Sequence, residues 1–166
     1  LYPTYISTPV DLPDALNMIN PIGDLVGAGE AAHQLSAAIK REFKRLEGLK
    51  PLGVKVAYLI WRKPYMVAGT STFINNMLQY CGFENVFQKA RYPQITMDEL
   101  VSARPHVVLL SSEPYPFKQK HVDELQQVLP NAIIKLVDGE MFSWYGSRLL
   151  YAPEYFIGLT DSIAAR

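Results

Sequence analysis

A chain of 166 residues with a 49 % hydrophobic fraction is long enough for one domain with a substantial core. Its 16 basic residues balance its 16 acidic ones, so no basic excess points to a nucleic-acid partner and no charge run points to a disordered tail. The single cysteine, Cys81, excludes a disulfide framework and a CxxC metal site, and no apolar run approaches the roughly 20 residues of a membrane span.

Leu1 to Ser7 reads as a short strand or an extended connector. The chain opens on Leu1 rather than Met, and no signal peptide is visible, which reads as a processed product or a piece of something longer. "TPVDLPDALNMINPIGDLVG" reads as a short helix capped by Thr8 or Asp11, with Ala15, Leu16 and Ile19 inward. From Glu30 to Leu49 the spacing is helical. Ala31, Leu35, Ala38, Ile39 and Leu46 form the apolar side, and Gly48, Pro51 and Gly53 end the element. A helix of about 20 residues spans about 30 Å, long for this chain and suited to a strut.

"VKVAYLIW", Val54 to Trp61, is a nearly continuous apolar, β-branched run and reads as a buried strand. Thr70 and Ser71 are candidate N-caps for a helix with Phe73, Ile74, Met77 and Leu78 inward, closed by Gly82. Cys81, at the end of that face, reads as core. "ENVF", Glu84 to Phe87, fits a short edge strand. Thr96 and Glu99 have capping-box spacing. His106 to Ser112 and Ala132 to Asp138 are two further buried strands, with a helix from Phe117 to Leu129 between them. A C-terminal helix runs from about Ser147. Strands alternating with helices from Val54 onward predict an α/β unit built on a parallel, doubly wound sheet.

In such sheets, ligands sit outside the carboxyl ends of the strands. The loops there carry Trp61, Arg62, Tyr65 and Met66; Glu113, Tyr115 and Phe117; and Glu140, Phe142, Trp144 and Tyr145. The loop before Thr96 adds Arg91 and Tyr92. Both tryptophans of the chain lie in this set. Loops are normally polar, so aromatics gathered at one rim suggest a surface for a ligand or partner with a large apolar face. Any one of them reads equally well as packing under its loop.

Enzyme signatures are sparse. His33, His106 and His121 do not cluster in sequence, and HExxH, GxSxG and GxxxxGK[ST] are absent. "GAGEAA", Gly27 to Ala32, matches GxGxxA, but a helix precedes it where a dinucleotide site needs a strand. Glu30 reads as complementing the helix dipole.

"WRKPYMVAGTSTFINNMLQYCGFENVF", "YPQITMDELVSARPHVVLLSSEPYPF" and "DGEMFSWYGSR" together resemble the second lobe of ABC-transporter solute-binding proteins of the ferric-siderophore, haem and cobalamin type. The likeness runs from Val54 to about Leu159. That family holds its ligand between two α/β lobes joined by one rigid helix. The resemblance implies a connector at 1–28, a backbone helix at 29–49 and a C-terminal α/β lobe at 52–166, with the N-terminal lobe absent from this chain.

It also implies roles. Trp61, Tyr65 and Met66 fall in a loop that offers aromatics to the ligand, and Tyr115 and Phe142 belong to neighbouring loops of the same rim. Tyr92 falls where the cobalamin-binding member has a tryptophan; Glu140 and Trp144 fall where it has an aspartate and an arginine. Asp98 falls where the family has a glutamate that docks onto the permease, and Glu99 stands beside it. The expectation is a periplasmic or cell-surface lipoprotein, monomeric when full length. It would carry no cofactor of its own and would bind an iron chelate, haem or corrinoid whose own donors hold the metal. Two alternatives stay open: an interaction module using the aromatic face, and a metal-cofactor enzyme subunit using His106 or Glu140.

Overall fold

The computed structural model describes residues 4–48 and 53–165. Leu49 and Pro51, at the expected end of the long helix, lie outside the described residues, as does the start of the N-terminal stretch. Residues 4–7 are exposed and belong to no helix or strand.

The first helix, α1 (Leu12–Leu25), starts where Asp11 accepts a hydrogen bond from the Asp14 amide at 2.8 Å. It buries Leu12, Ala15, Leu16 and Ile19. The second, α2 (Gly29–Phe43), is shorter than the sequence suggests: it tightens into a 3-10 turn at Lys44–Leu46. Its buried face is also rotated by one residue, to Ala32, Ser36, Ile39, Phe43 and Leu46. Ser36 made this face hard to read, because a serine is rarely a core residue. Here its hydroxyl donates to Asn20 Oδ1 on α1 at 2.8 Å, which satisfies it. The helix is therefore no free strut. It packs on α1, and both share one apolar core with the α/β unit.

The sheet contains β1 (Val54–Trp61), β2 (Tyr65–Val67), β3 (Phe83–Asn85), β4 (Gln94–Ile95), β5 (Val107–Ser111) and β6 (Ile133–Val137). Its order is β4-β2-β1-β5-β6, with β3 also pairing β1. Strands β3-β1-β5-β6 form the parallel part of the sheet that the alternation of strands and helices predicts. The sheet is nevertheless mixed, because β2 folds back antiparallel on β1 and β4 runs antiparallel to β2. Two- and three-residue strands carry no periodicity of their own, so these two were invisible in the sequence.

Alternation along β1 builds two layers. Val56, Tyr58 and Ile60 face one core, with Val107 and Leu109, under α1, α2, α3 (Phe73–Tyr80), α6 (Glu140–Ser143) and α7 (Ala152–Ala164). Ala57 and Leu59 face the other, with Val108, Leu110 and Ile134, under α4 (Met97–Ser102) and α5 (Gln119–Val128). A 3-10 turn at Ser147–Leu150 leads into α7. The N-cap of α3 is Thr72, one residue beyond the two expected; its hydroxyl oxygen accepts from the Asn75 amide at 3.1 Å.

One edge of β1 is shared by two strands, β3 along Val54–Val56 and β2 from Leu59. Asn85 stitches the handover. Its side-chain amide donates to Ala68 O and Asn75 Oδ1, both at 2.9 Å, while its own Oδ1 accepts from the Phe87 amide at 3.0 Å. Asn85 is buried, so truncation orphans several polar groups at once. Asn85→Ala is expected to destabilise the fold by about 1–3 kcal/mol, read as a lower urea midpoint.

Candidate functional site

β1, β5 and β6 run parallel, so their carboxyl ends bring three loops to one edge of the sheet. Trp61, the last residue of β1, is 39 % exposed and meets Tyr115 edge-on at 5.7 Å between ring centroids. Tyr115 packs in turn on Phe117 at 4.8 Å and on His121 at 5.5 Å. Arg62 lies among them. Its guanidinium donates to Glu124 Oε2 at 2.6 Å, and hydrogen bonding to the Tyr65 hydroxyl, ahead of that to Tyr115, raises its pKa further.

The loops after β5 and β6 interlock. Glu113 Oε1 accepts from Trp144 Nε1 at 2.8 Å and from Ser143 Oγ at 2.7 Å. The Gly139 amide donates to Ser112 Oγ at 2.9 Å. A Cβ on Gly139 would stand 2.3 Å from Ser111 Oγ and 2.7 Å from Glu113 Cγ, so only glycine allows the loops this close. Tyr145 meets Phe73 edge-on at 5.0 Å. Tyr92 stands near Tyr145; partial burial first, then that neighbour, raises its hydroxyl pKa. Lys63 in the loop after β1, Ser71 ahead of α3 and Arg91 ahead of β4 adopt left-handed backbone with φ of 64°, 56° and 62°. Non-glycine residues hold that conformation where surrounding structure imposes it, and such positions cluster at functional sites.

The expected site residues separate into groups. Trp61, Tyr92 (41 % exposed) and Trp144 (50 % exposed) present surface. Tyr115, Tyr65 and Met66 are half-buried and support the loops from below. Phe142 does not belong to the rim. It is 0 % exposed, packed on Tyr58 at 5.0 Å and Phe156 at 4.9 Å. In a helical turn, residues two apart point about 200° apart, so with Glu140 and Trp144 outward, Phe142 turns inward.

Glu140 is engaged with a partner the sequence did not suggest. Arg148 Nη2 lies 2.5 Å from Glu140 Oε2 and 3.8 Å from Asp138 Oδ2. A cation is thus present beside Glu140, supplied from the turn that follows the helix rather than from position 144.

Asp98 and Glu99 also differ. Glu99 closes the capping box: its Oε2 accepts from the Thr96 amide at 2.7 Å, and Thr96 Oγ1 accepts from the Glu99 amide at 3.1 Å. That backbone hydrogen bond, then Lys89, holds the Glu99 carboxyl below its ordinary range. Asp98 is exposed, and its side chain makes no hydrogen bond or ion pair among the described residues.

The three histidines stay apart. His33 is exposed on α2. His106 sits at the opposite edge of the sheet, where its Nδ1 accepts from the Lys55 amide at 3.2 Å. It cannot act together with Glu140. His121 is at the rim, beneath Tyr115, and sequence reasoning had assigned it no role; only its spacing three residues after Lys118 hinted at one. Its Nδ1 accepts from the Lys118 amide at 2.9 Å, so the neutral ring carries its proton on Nε2, 3.4 Å from the Tyr115 hydroxyl. Burial first, then the Arg62 charge, lowers its pKa. Pockets of about 480 Å³ beside Lys40, Phe43 and Tyr80, and about 470 Å³ beside Arg104 and His106, lie away from the aromatic loops.

No family model matches the sequence. Vitamin B12-binding proteins of Vibrio campbellii and Vibrio parahaemolyticus are 24 % and 25 % identical over 113 residues, 66 % of this chain. The chain's match spans 41 % of the length of these curated relatives. Among solved structures, a possible iron-binding periplasmic solute-binding protein from Staphylococcus epidermidis superposes with a TM-score of 0.78 at 20 % identity, over 96 % of this chain and 65 % of that one. The periplasmic haem-binding protein RhuT from Roseiflexus sp. RS-1 gives 0.77 at 17 %, over 93 % and 64 %. The periplasmic vitamin B12-binding protein BtuF of Vibrio cholerae gives 0.75 at 15 %, over 98 % and 66 %. The fold of this chain is therefore the fold of periplasmic iron-, haem- and vitamin B12-binding proteins.

A folded His121 that resists protonation makes stability depend on pH. The unfolded side chain takes up its proton near its ordinary pKa of about 6.5, the folded one only at lower pH. Stability is expected to be full above about pH 6.5 and to fall as pH drops below it, until the lowered folded pKa is passed. His121→Gln should flatten that stretch of the urea-midpoint profile.

Proposed function

We propose that this chain is the C-terminal lobe, with its helical connection, of a solute-binding component of an ABC importer. Its ligand is an iron chelate, haem or corrinoid, bound without catalysis in the periplasm or at the cell surface. The observation that carries this reading is the placement of Trp61, Tyr92 and Trp144, exposed, on loops at one edge of a sheet whose fold recurs in binding proteins for such ligands. Large flat ligands gain affinity from buried apolar area, and a few directed polar groups orient them. Tyr65, Met66 and Tyr115 brace this surface. Glu140 with Arg148, and Arg62 with Glu124, are the charged pairs nearest to it.

Asp98 is the docking acid of this reading. It is exposed on the first turn of α4, whereas Glu99 is committed to the cap. Charge complementarity at such a contact sets orientation and association rate more than affinity.

The ligand assignment is tested by equilibrium dialysis against haemin, cyanocobalamin and ferric siderophores, on the full product of the reading frame and on these 166 residues in parallel. Trp61→Ala and Tyr92→Ala are each expected to weaken binding by about tenfold or more, since buried aromatics carry much of such an interface. Unchanged affinity in both removes the rim as the binding face. A well-ordered dimer buried over Trp61 and Trp144, with no ligand bound, would favour a protein interface instead. Asp98→Ala is expected to leave ligand affinity unchanged and to lower transport in a reconstituted importer. Undiminished transport would refute the docking role.

A further inference from the structure

The indole of Trp144 is half exposed, yet it is the most firmly held of the exposed rim aromatics, and what holds it is Glu113. A chain of hydrogen bonds leads from the core to this carboxylate. Tyr58, fully buried under Phe142, donates from its hydroxyl to Ser111 Oγ at 3.2 Å. Ser111 Oγ donates to Glu113 O at 2.5 Å and accepts from the Glu113 amide at 3.3 Å. The backbone of Glu113 is thus anchored to the centre of the sheet. Its side chain then reaches across to the next loop, where one oxygen, Oε1, receives both Trp144 Nε1–H and the Ser143 hydroxyl. Ser143 Oγ also lies 2.8 Å from Gly139 O, so its single proton is shared between that carbonyl and Glu113 Oε1. Charge-assisted bonds of this kind are short and directional, and an indole has one donor to give.

We infer that Glu113 is a positioning residue of the ligand face: by holding the Trp144 Nε1–H and the Ser143 hydroxyl, it fixes the angle at which the indole meets a flat ligand. The inference rests on the ligand-binding reading of this rim. It carries a consequence for specificity. With Nε1–H spent on Glu113, Trp144 offers the ligand its ring face and no hydrogen-bond donor. The substrate group that meets it is therefore an apolar or π surface, such as a macrocycle edge or an aromatic chelator, rather than a carboxylate or phosphate. Ligands would be selected there by shape and by stacking.

The test separates the positioning from the binding. In a Trp61→Phe background, Trp144 is the sole tryptophan and its fluorescence reports on its own hold. Glu113→Ala and Glu113→Asp are expected to shift Trp144 emission to the red, lower its anisotropy and raise its quenching by acrylamide. Glu113→Gln, which keeps an acceptor oxygen at the same reach, should retain the parent signal. With Trp61 intact, Glu113→Ala is expected to weaken haemin binding about tenfold, through the lost hold on Trp144. Glu113→Ala combined with Trp144→Ala should bind no worse than Trp144→Ala alone. Unaltered Trp144 fluorescence in both Glu113→Ala and Glu113→Asp would overturn the inference, as would fully additive losses in the double variant. If Glu113→Ala does not fold, the comparison of Asp with Gln decides the same point. If the fluorescence responds as expected but the parent protein binds no haemin, the positioning stands and the haem assignment of the rim falls.

Discussion

β1 is paired along both edges and packed on both faces, and the rest of the molecule is arranged around that requirement. A strand buried on two sides cannot leave amides or carbonyls to water, so each edge must find partners over its whole length. β5 supplies one edge. The other is divided, with β3 along Val54–Val56 and β2 from Leu59. Dividing it forces the chain to turn back after Trp61, and that turn is what places Trp61, Arg62 and Tyr65 at the rim. Asn85 closes the gap where one partner strand hands over to the other. The asparagine of "CGFENVF" is thus a structural necessity of a sheet that shares an edge. Gly69 belongs to the same device: a Cβ there would stand 1.8 Å from Lys89 O, so the two segments that build the rim loops could not run side by side.

From this arrangement comes a surface with two dissimilar halves. On the β1 and β2 side, the aromatics are stacked with a histidine and bracketed by Arg62. On the β5 and β6 side, they are held by carboxylates, with Arg148 the cation that answers Glu140 and Asp138. Most of these pairs are partly exposed, where a salt bridge adds little to stability, about 0–1 kcal/mol. Their value lies in orientation. Two of the rim rings pack on buried rings, Tyr145 on Phe73 on one side of the sheet and Tyr115 on Phe117 on the other. Rigid support lets exposed aromatic area meet a ligand at small cost in conformational freedom.

The sequence was least transparent where polar residues sit inside and apolar ones outside. Ser36 is buried on α2, and a face drawn from apolar residues alone leaves it out and lies one position off. Phe142 sits within a loop-rich stretch beside Trp144, so composition grouped the two, although one turn of helix sends them to opposite sides. Thr70 and Ser71 are the N-cap candidates of the sequence, but Thr72 takes the cap, with Ser71 held in a left-handed turn just before it. The resemblance to two-lobe binding proteins pointed to loops that the structure brings to one edge of the sheet. It did not distinguish residues that present surface from residues that hold them in place. Glu113, His121 and Arg148 belong to the second kind, and each acts on a neighbour from a different element.

What the sequence determined by itself is everything carried by short-range pattern. The continuous apolar run of β1 marks a strand buried on both faces, and Thr96 with Glu99, and Gly82, mark helix ends. The alternation of strands and helices sets the parallel frame, and the aromatics after each strand gather at one edge of the sheet. Only the tertiary structure decided the antiparallel return of β2 and β4, the face that α2 buries, and the hydrogen bonds that fix Trp144 and Tyr115. Local backbone preference ends within a few residues. Side-chain direction in a loop is set by partners 30 or more positions away, as Glu113 sets Trp144 and Arg62 meets Glu124. Those partners meet only once both halves of the sheet have closed.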